Sequence, residues 1–215
     1  MEQILAEYKK LSIGVISDAM DRLGIHGACF GISPLAQGYR MIGRAFTVKY
    51  LPAASNRGTV GDYIDDVPAG SVIVLDNEGR LDCTVWGELI TTAVKRMGIA
   101  GTVIYGVCRD VSSCIDLKYP IFSRGKFMRT GKDRVQATDV NVPVSIGDVL
   151  VKPGDILFGT DDGLIVIPWE KGEAILSIAQ SIAETEEAIR QEVLKGTPLK
   201  QAREKYDYHR LQSKQ

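Results

Sequence analysis

The stretch from Trp86 to Asp110 constrains this chain most, because a helix and a strand are written into it back to back. Leu89, Ala93, Val94 and Met97 recur at helical spacing, with Lys95 and Arg96 on the other side. Gly98 stops that helix, and the two cations in its last turn suit the negative end of the dipole. Thr102-Val103-Ile104-Tyr105 is then a continuous, β-branched run, the mark of a strand covered on both faces. Arg109-Asp110 follows, at the kind of strand end where open α/β sheets put ligands.

A helix of roughly 15 Å and a returning strand of roughly 13 Å can bring Gly87-Glu88-Leu89-Ile90 and Arg109-Asp110 to one edge of a sheet. That edge would offer free backbone N–H groups, one guanidinium and two carboxylates. Such a set suits an anionic substrate held with a divalent cation. The spacing supports a plainer reading equally well: an exposed Arg-Asp pair beside a loop, with Glu88 starting a helix.

Composition narrows the chemistry. The chain has 215 residues and a formal charge of −1, which argues against a nucleic-acid footprint or a polybasic membrane arm. No apolar run approaches the roughly 20 residues needed to cross a bilayer, and Met1-Glu2-Gln3 lacks the basic start of a signal peptide. A cytoplasmic protein is the expectation. With two histidines, His26 and His209, there is little from which to build a Ser-His-Asp or Cys-His device. The four cysteines form no C-x-x-C pair and read as buried thiols; Cys108, beside Arg109, is the one nucleophile candidate and lacks a base. No P-loop or G-x-G-x-x-G is present. Carboxylates, arginine and a hard metal remain.

Along the chain, helices are expected over 1–10, 14–23, 59–67, 112–117 and 169–194. Ser12 is a plausible cap for the second. Strands are expected over 44–50, 71–75, 120–122, 135–137, 142–144, 149–151, 156–158 and 164–167. Arg57, in a loop of small and polar residues, is a candidate contact for a second substrate carboxylate, or simply an exposed arginine. The basic run 126–134 reads as an anion-facing loop or a solvated one. Asp155, Asp161 and Asp162 lack the ligand spacing of an EF-hand and read as turn residues. These elements make an α/β protein with mixed sheets, one domain over 1–215, a core of about 12–196 and a polar tail at 197–215.

Twenty residues separate Glu88 from Arg109, giving E-x20-R-D. This resembles the D/E-x20-R-D signature of the metal-dependent 4-hydroxy-4-methyl-2-oxoglutarate aldolases, which share a family with the regulator of ribonuclease activity A (RraA-like proteins). Further matches, in order, are S-D-A-M-D-R-L-G at 17–24, G-R-A-F-T-V at 43–48, N-V-P-V at 141–144, P-G-D at 153–155 and D-D-G-L-I-V-I-P at 161–168. The resemblance covers nearly the whole chain.

What the resemblance implies is a layered β/β/α (swivelling-domain-like) architecture with a long C-terminal helix, assembled as a homotrimer or homohexamer. It implies a lyase acting on a small 2-oxo acid, a 4-hydroxy-2-oxo acid cleaved to pyruvate, with oxaloacetate decarboxylation as a second activity. Asp110 would be the metal ligand for Mg²⁺ or Mn²⁺, and Arg109 would bind the 2-oxo oxygen. The backbone of Gly87, Glu88, Leu89 and Ile90 would hold the substrate carboxylate, and Glu88 would hold waters around the metal. The family also uses a glutamate from the neighbouring subunit, for which Glu186 is the candidate here. Many close aldolases carry Asp where this chain has Glu88. The alternative is an RraA-like protein that binds and regulates an RNA-processing enzyme without chemistry; members of that type lose the aspartate that this chain keeps as Asp110. The methyltransferase labels once attached to this family find no nucleotide-binding glycine loop here.

Overall fold

The computed structural model describes residues 2–54 and 58–208. Arg57 and His209 lie outside the described residues. In chain order the elements are α1 (Glu2–Tyr8), α2 (Ile13–Arg22), β1 (Ser33–Pro34), β2 (Met41–Pro52), β3 (Ser71–Asp76), α3 (Glu88–Arg96), β4 (Gly101–Cys108), α4 (Val111–Asp116), β5 (Ile121–Lys126), β6 (Val135–Val140), β7 (Val144–Ile146), β8 (Val149–Val151), β9 (Ile156–Thr160), β10 (Gly163–Ile167), α5 (Gly172–Leu194) and α6 (Leu199–Lys205). They fall into two compact units, Met1–Gly27 with Glu170–Gln215, and Ala28–Trp169.

The first unit is helical. Ser12 caps α2 as its sequence suggests, its hydroxyl accepting the Val15 N–H at 3.3 Å. Gly24 follows in the left-handed region at φ 66°. The long helix α5 buries Ile175, Ala179, Ile182 and Ile189 along one stripe. Tyr8 at the end of α1 donates its hydroxyl to the Gly172 carbonyl at 2.6 Å. The stretch read as a polar tail contains α6. Its composition is polar, but Ala202 is fully buried and Lys205 pairs with Glu192 of α5 at 3.1 Å.

The second unit is built on an eight-stranded mixed sheet. The path runs β1-β5-β4-β3-β2-β9-β10, with β6 joined to β2 as well. Strands β2, β3, β4 and β5 are parallel neighbours, with α3 and α4 in the last two crossovers. The twelve-residue β2 pairs with β3 on one side. Its other side takes β9 along Met41–Arg44 and β6 along Val48–Pro52, both antiparallel.

Side chains alternate across this sheet. On β3, Val72 and Val74 meet one cluster with Val103, Leu157 and the β7–β8 hairpin residues Val144, Ile146, Val149 and Val151. Ile73 and Leu75 meet the other, with Ile104, Tyr63, Trp86, Val94 and Tyr119. A small sheet therefore covers one face of the large one and helices cover the other, the β/β/α layering expected. Each fully buried aliphatic contributes about 1.5–3 kcal/mol, so a one-residue slip of β3 would reverse both faces at once. The helix expected at 59–67 is only a 3₁₀ turn at Asp62–Asp66. The Thr59 hydroxyl takes the Gly61 and Asp62 N–H groups, and Pro68 leaves no room for a further turn.

Candidate active site

The site is assembled where the chain leaves β3 and enters α3. Thr84 is wedged between the end of β4 and the 129–130 segment, forming parallel bridges to Val107 and Thr130. Its N–H donates to the Arg129 carbonyl at 2.9 Å, and its hydroxyl lies 2.8 Å from the Val107 carbonyl oxygen while accepting the Trp86 N–H at 3.1 Å. Beyond it, the Arg109 N–H donates to the Trp86 carbonyl at 3.2 Å. This pairing lays Gly87 against the Arg109-Asp110 pair.

Gly87 is extended, a backbone open to any residue, yet a Cβ there would fall 2.6 Å from Asp110 Oδ2 and 3.3 Å from Arg109 Nε. A side chain here would push the Asp110 carboxylate from its place. Asp110 is held at φ 54° and ψ 37°, left-handed for a non-glycine residue, at the start of α4. Its Oδ2 accepts the Glu88 N–H at 3.2 Å and lies 3.5 Å from Arg109 Nε. Both side chains remain about two-fifths exposed, 41% for Arg109 and 42% for Asp110. Because Glu88 N–H is spent on Asp110, the Leu89 and Ile90 amides are the first-turn donors left for an anion.

Beneath this surface lies a buried brace. The Trp86 indole N–H donates to Thr91 Oγ1 at 2.9 Å, and the Thr91 hydroxyl donates to the Gly87 carbonyl at 2.9 Å. Cys114 Sγ is 3.3 Å from the same hydroxyl, and the indole stacks on Tyr119 at 6.5 Å between centroids. Cys108 is fully buried and its thiol donates to the Arg109 carbonyl at 3.2 Å. The neighbouring Cys114 thiol, and then burial, push its pKa up, which disfavours the thiolate a nucleophile needs.

These groups line a cleft of about 460 Å³. Gly87, Glu88, Leu89, Ile90, Arg109 and Asp110 all face it, so the six candidates of this segment come together in one place. Glu186 does not line it. It sits on α5, where its Oε1 accepts the Tyr208 hydroxyl at 3.4 Å beside a separate hollow of about 360 Å³. Reading along the sequence missed Thr59 and Gly61 on one rim and Thr130 and Lys132 on the other. The basic run 126–134 was the signal for the second rim. What decides its placement is Gly131, whose Cβ would lie 2.6 Å from the Thr84 carbonyl. Among the described residues, Lys132 has no carboxylate within ion-pair distance. The other acidic strand ends are turn residues. Asp76 accepts the Glu78 and Ser145 N–H groups, Asp155 those of Lys152 and Trp169, and Asp161 that of Gly38.

The donor set tests which cation the cleft suits. Among the described residues there is no group of three or more His, Cys, Asp or Glu side chains able to enclose a metal. That excludes a calcium or structural zinc cage built from them. Mg²⁺ instead keeps most of its waters and takes one or two carboxylates. Asp110 has one oxygen fixed by Glu88 N–H and Arg109, while Oδ1 has no hydrogen-bond partner among the described residues. With the Glu88 carboxylate on the same cleft, the residues fit a sparsely ligated hard cation.

A family model described as RraA-like, Aldolase/RraA, matches residues 14–166. The chain belongs to the RraA-like family. It is 42% identical over 212 residues to Protein DlpA of Legionella pneumophila subsp. pneumophila, covering 97% of this chain and 34% of that protein; the chain thus spans about a third of the length of DlpA. Over 186 residues it is 33% identical to a Halalkalibacterium halodurans protein named "Putative 4-hydroxy-4-methyl-2-oxoglutarate aldolase", covering 86% of this chain and 85% of that one. The fold is shared with the crystal structure of an uncharacterized protein from Pseudomonas syringae pv. tomato str. DC3000. The TM-score is 0.88 at 41% identity, covering 94% and 98% of the two chains. No helix among the described residues of this RraA-like chain is long and apolar enough to cross a membrane.

Proposed function

We propose that this cleft is the active site of a divalent-metal-dependent aldolase. It would cleave a 4-hydroxy-2-oxo acid of the 4-hydroxy-4-methyl-2-oxoglutarate type to pyruvate and a second oxo compound, and would decarboxylate oxaloacetate by the same route. The observation that carries this reading is the meeting of Arg109, Asp110 and the Gly87–Glu88 backbone, with Asp110 Oδ2 3.5 Å from Arg109 Nε and 3.2 Å from Glu88 N. The relative named as an aldolase supports it.

Each group then has a task. The Leu89 and Ile90 amides, at the positive end of α3, receive the substrate carboxylate. Arg109 donates to the 2-oxo oxygen and takes up the charge that develops there as the C3–C4 bond breaks and the pyruvate enolate forms. Asp110 would hold Mg²⁺ or Mn²⁺, and Glu88 would hold a water able to carry the proton between the reacting hydroxyl and carbon. The bound cation supplies Lewis acidity toward the 2-oxo oxygen. Glu186 of a neighbouring copy, in a ring of three, completes the proton path.

The test is pyruvate release from a panel of 4-hydroxy-2-oxo acids. Activity should vanish in EDTA, return with Mg²⁺ or Mn²⁺, and be absent in Asp110→Ala with the fold intact. Full activity in EDTA would defeat the metal reading. No pyruvate release with any metal would leave the regulatory role of an RraA-like binding protein.

A further inference from the structure

We infer that Trp86 and Thr91 are positioning residues that set the place of the Asp110 carboxylate through the Gly87–Glu88 peptide. The inference rests on the reading of Asp110 as the metal-holding residue. The contacts form one unbroken line. Trp86 Nε1–H donates to Thr91 Oγ1 at 2.9 Å, and Thr91 Oγ1–H donates to the Gly87 carbonyl at 2.9 Å. Across the same peptide unit, the Glu88 N–H donates to Asp110 Oδ2 at 3.2 Å. Neither side chain hydrogen-bonds the carboxylate itself, yet a rigid peptide plane joins them to it.

The directions in this line are fixed by chemistry. An indole nitrogen can only donate and a carbonyl oxygen can only accept, so the line is continuous when the Thr91 hydroxyl proton is turned to Gly87 and not to Cys114 Sγ, the other acceptor in its reach. Cys114 Sγ lies 3.3 Å from Thr91 Oγ1, and its own proton is directed at the Arg109 carbonyl at 3.7 Å. A helical threonine bonding back to its i−4 carbonyl is commonplace. Here the hydroxyl is in addition locked by a buried donor, with Trp86 2% and Thr91 0% exposed. The Gly87 carbonyl therefore accepts twice, from the Thr91 N–H at 3.1 Å and from its hydroxyl. Pulling on the carbonyl in this way polarises the N–H at the far end of the peptide.

Asp110 needs such help. Its backbone is left-handed and its side chain is substantially exposed, with only Glu88 N–H and Arg109 to restrain it. Groups that hold a metal-binding side chain from behind change metal affinity by about 10–100-fold when removed. The Glu88 N–H occupies that position, and the Trp86–Thr91 pair fixes the peptide that carries it.

The experiment measures Mn²⁺ affinity by electron paramagnetic resonance and Mg²⁺ competition in the full chain, without substrate. Thr91→Val, which keeps the shape and deletes the hydroxyl, should weaken Mn²⁺ binding by about tenfold or more. Thr91→Ser, which keeps the hydroxyl, should stay within about twofold of the parent, and Trp86→Phe should fall between. Val94→Ala, a core truncation on the same helix, controls for lost stability; it should lower Tm and leave Mn²⁺ affinity unchanged. Equal affinity for the Thr91→Val variant and the parent overturns the inference alone, as does a Thr91→Ser variant as weak as Thr91→Val. A parent chain that binds no Mn²⁺ overturns the metal reading of Asp110 and this inference with it.

Discussion

Gly87 and Asp110 approach so closely that an added Cβ on the glycine would lie 2.6 Å from the carboxylate Oδ2. The backbone of Gly87 is extended, so alanine meets no conformational penalty there, only the carboxylate. Gly87→Ala should therefore fold normally by circular dichroism and thermal melting. It should lose about 10²-fold in kcat/KM for pyruvate release, the usual penalty for displacing a reacting group by about 1 Å.

Arg109 separates binding from catalysis. Were it only a counter-charge, Arg109→Lys would raise KM and spare kcat. A lysine cannot reproduce the planar fork, and the hydrogen bond to the 2-oxo oxygen strengthens as charge accumulates. The expected loss is therefore in kcat, by about 10²–10³-fold. Oxaloacetate decarboxylation should fall in parallel; responses differing by more than about tenfold would show that the two reactions do not share an enolate.

Lys132 lies on the rim of the cleft with no acidic partner among the described residues. Lys132→Met should raise KM for aldol substrates carrying a second carboxylate by about tenfold, the worth of one charge-assisted hydrogen bond, and leave kcat unchanged. Substrates with an uncharged distal group should show no change. Steady-state kinetics on the two substrate types checks this.

If Glu186 acts on a neighbouring copy, Glu186→Ala and Asp110→Ala damage different halves of one composite site. Mixing the two inactive variants under exchange conditions should restore activity that neither has alone. Sedimentation at micromolar concentration should show a trimer or larger. A species of 23.5 kDa alone would contradict the shared site.

Buried tyrosines set the alkaline limit. Burial pushes the pKa of Tyr8, Tyr50, Tyr63 and Tyr119 up in the folded chain. The unfolded chain ionises them near pH 10 and so binds fewer protons above that pH. Their contribution to stability is whole below about pH 10 and is lost as pH rises toward the folded-state values. Urea midpoints should fall steeply above about pH 10, with phenolate absorbance appearing together with unfolding.

The helix-strand unit around the site was legible because its two periodicities are local. Ala93, Val94 and Met97 mark a helix and 102–105 mark a strand, although Leu89 of the same stripe is exposed and Thr91 is buried in its stead. The basic run bearing Lys132 was legible as a run, but its meeting with this cleft was not. Its place depends on Thr84 pairing with Thr130 and on Gly131 nesting against the Thr84 carbonyl, contacts between segments far apart in the chain. The split edge of β2, shared by β9 and β6, is hidden for the same reason. α6 was hidden by its polar composition, since one buried alanine leaves almost no hydropathy signal. The spacing put Asp110 on one edge with Gly87–Ile90, where the cleft brings them together, while its left-handed backbone is a tertiary feature that no spacing encodes.

An anion grip made of main-chain amides has a consequence for how such a site can drift. The Leu89 and Ile90 N–H groups belong to every residue type but proline, so replacing their side chains leaves the grip in place. Leu89 is 87% exposed at the mouth of the cleft, where a change of size or polarity alters what the distal part of a substrate meets. In the proposed aldolase, substrate preference could thus wander at position 89 by single mutations without passing through an inactive ancestor, whereas changes at Gly87, Arg109 or Asp110 would strike the proposed machinery itself.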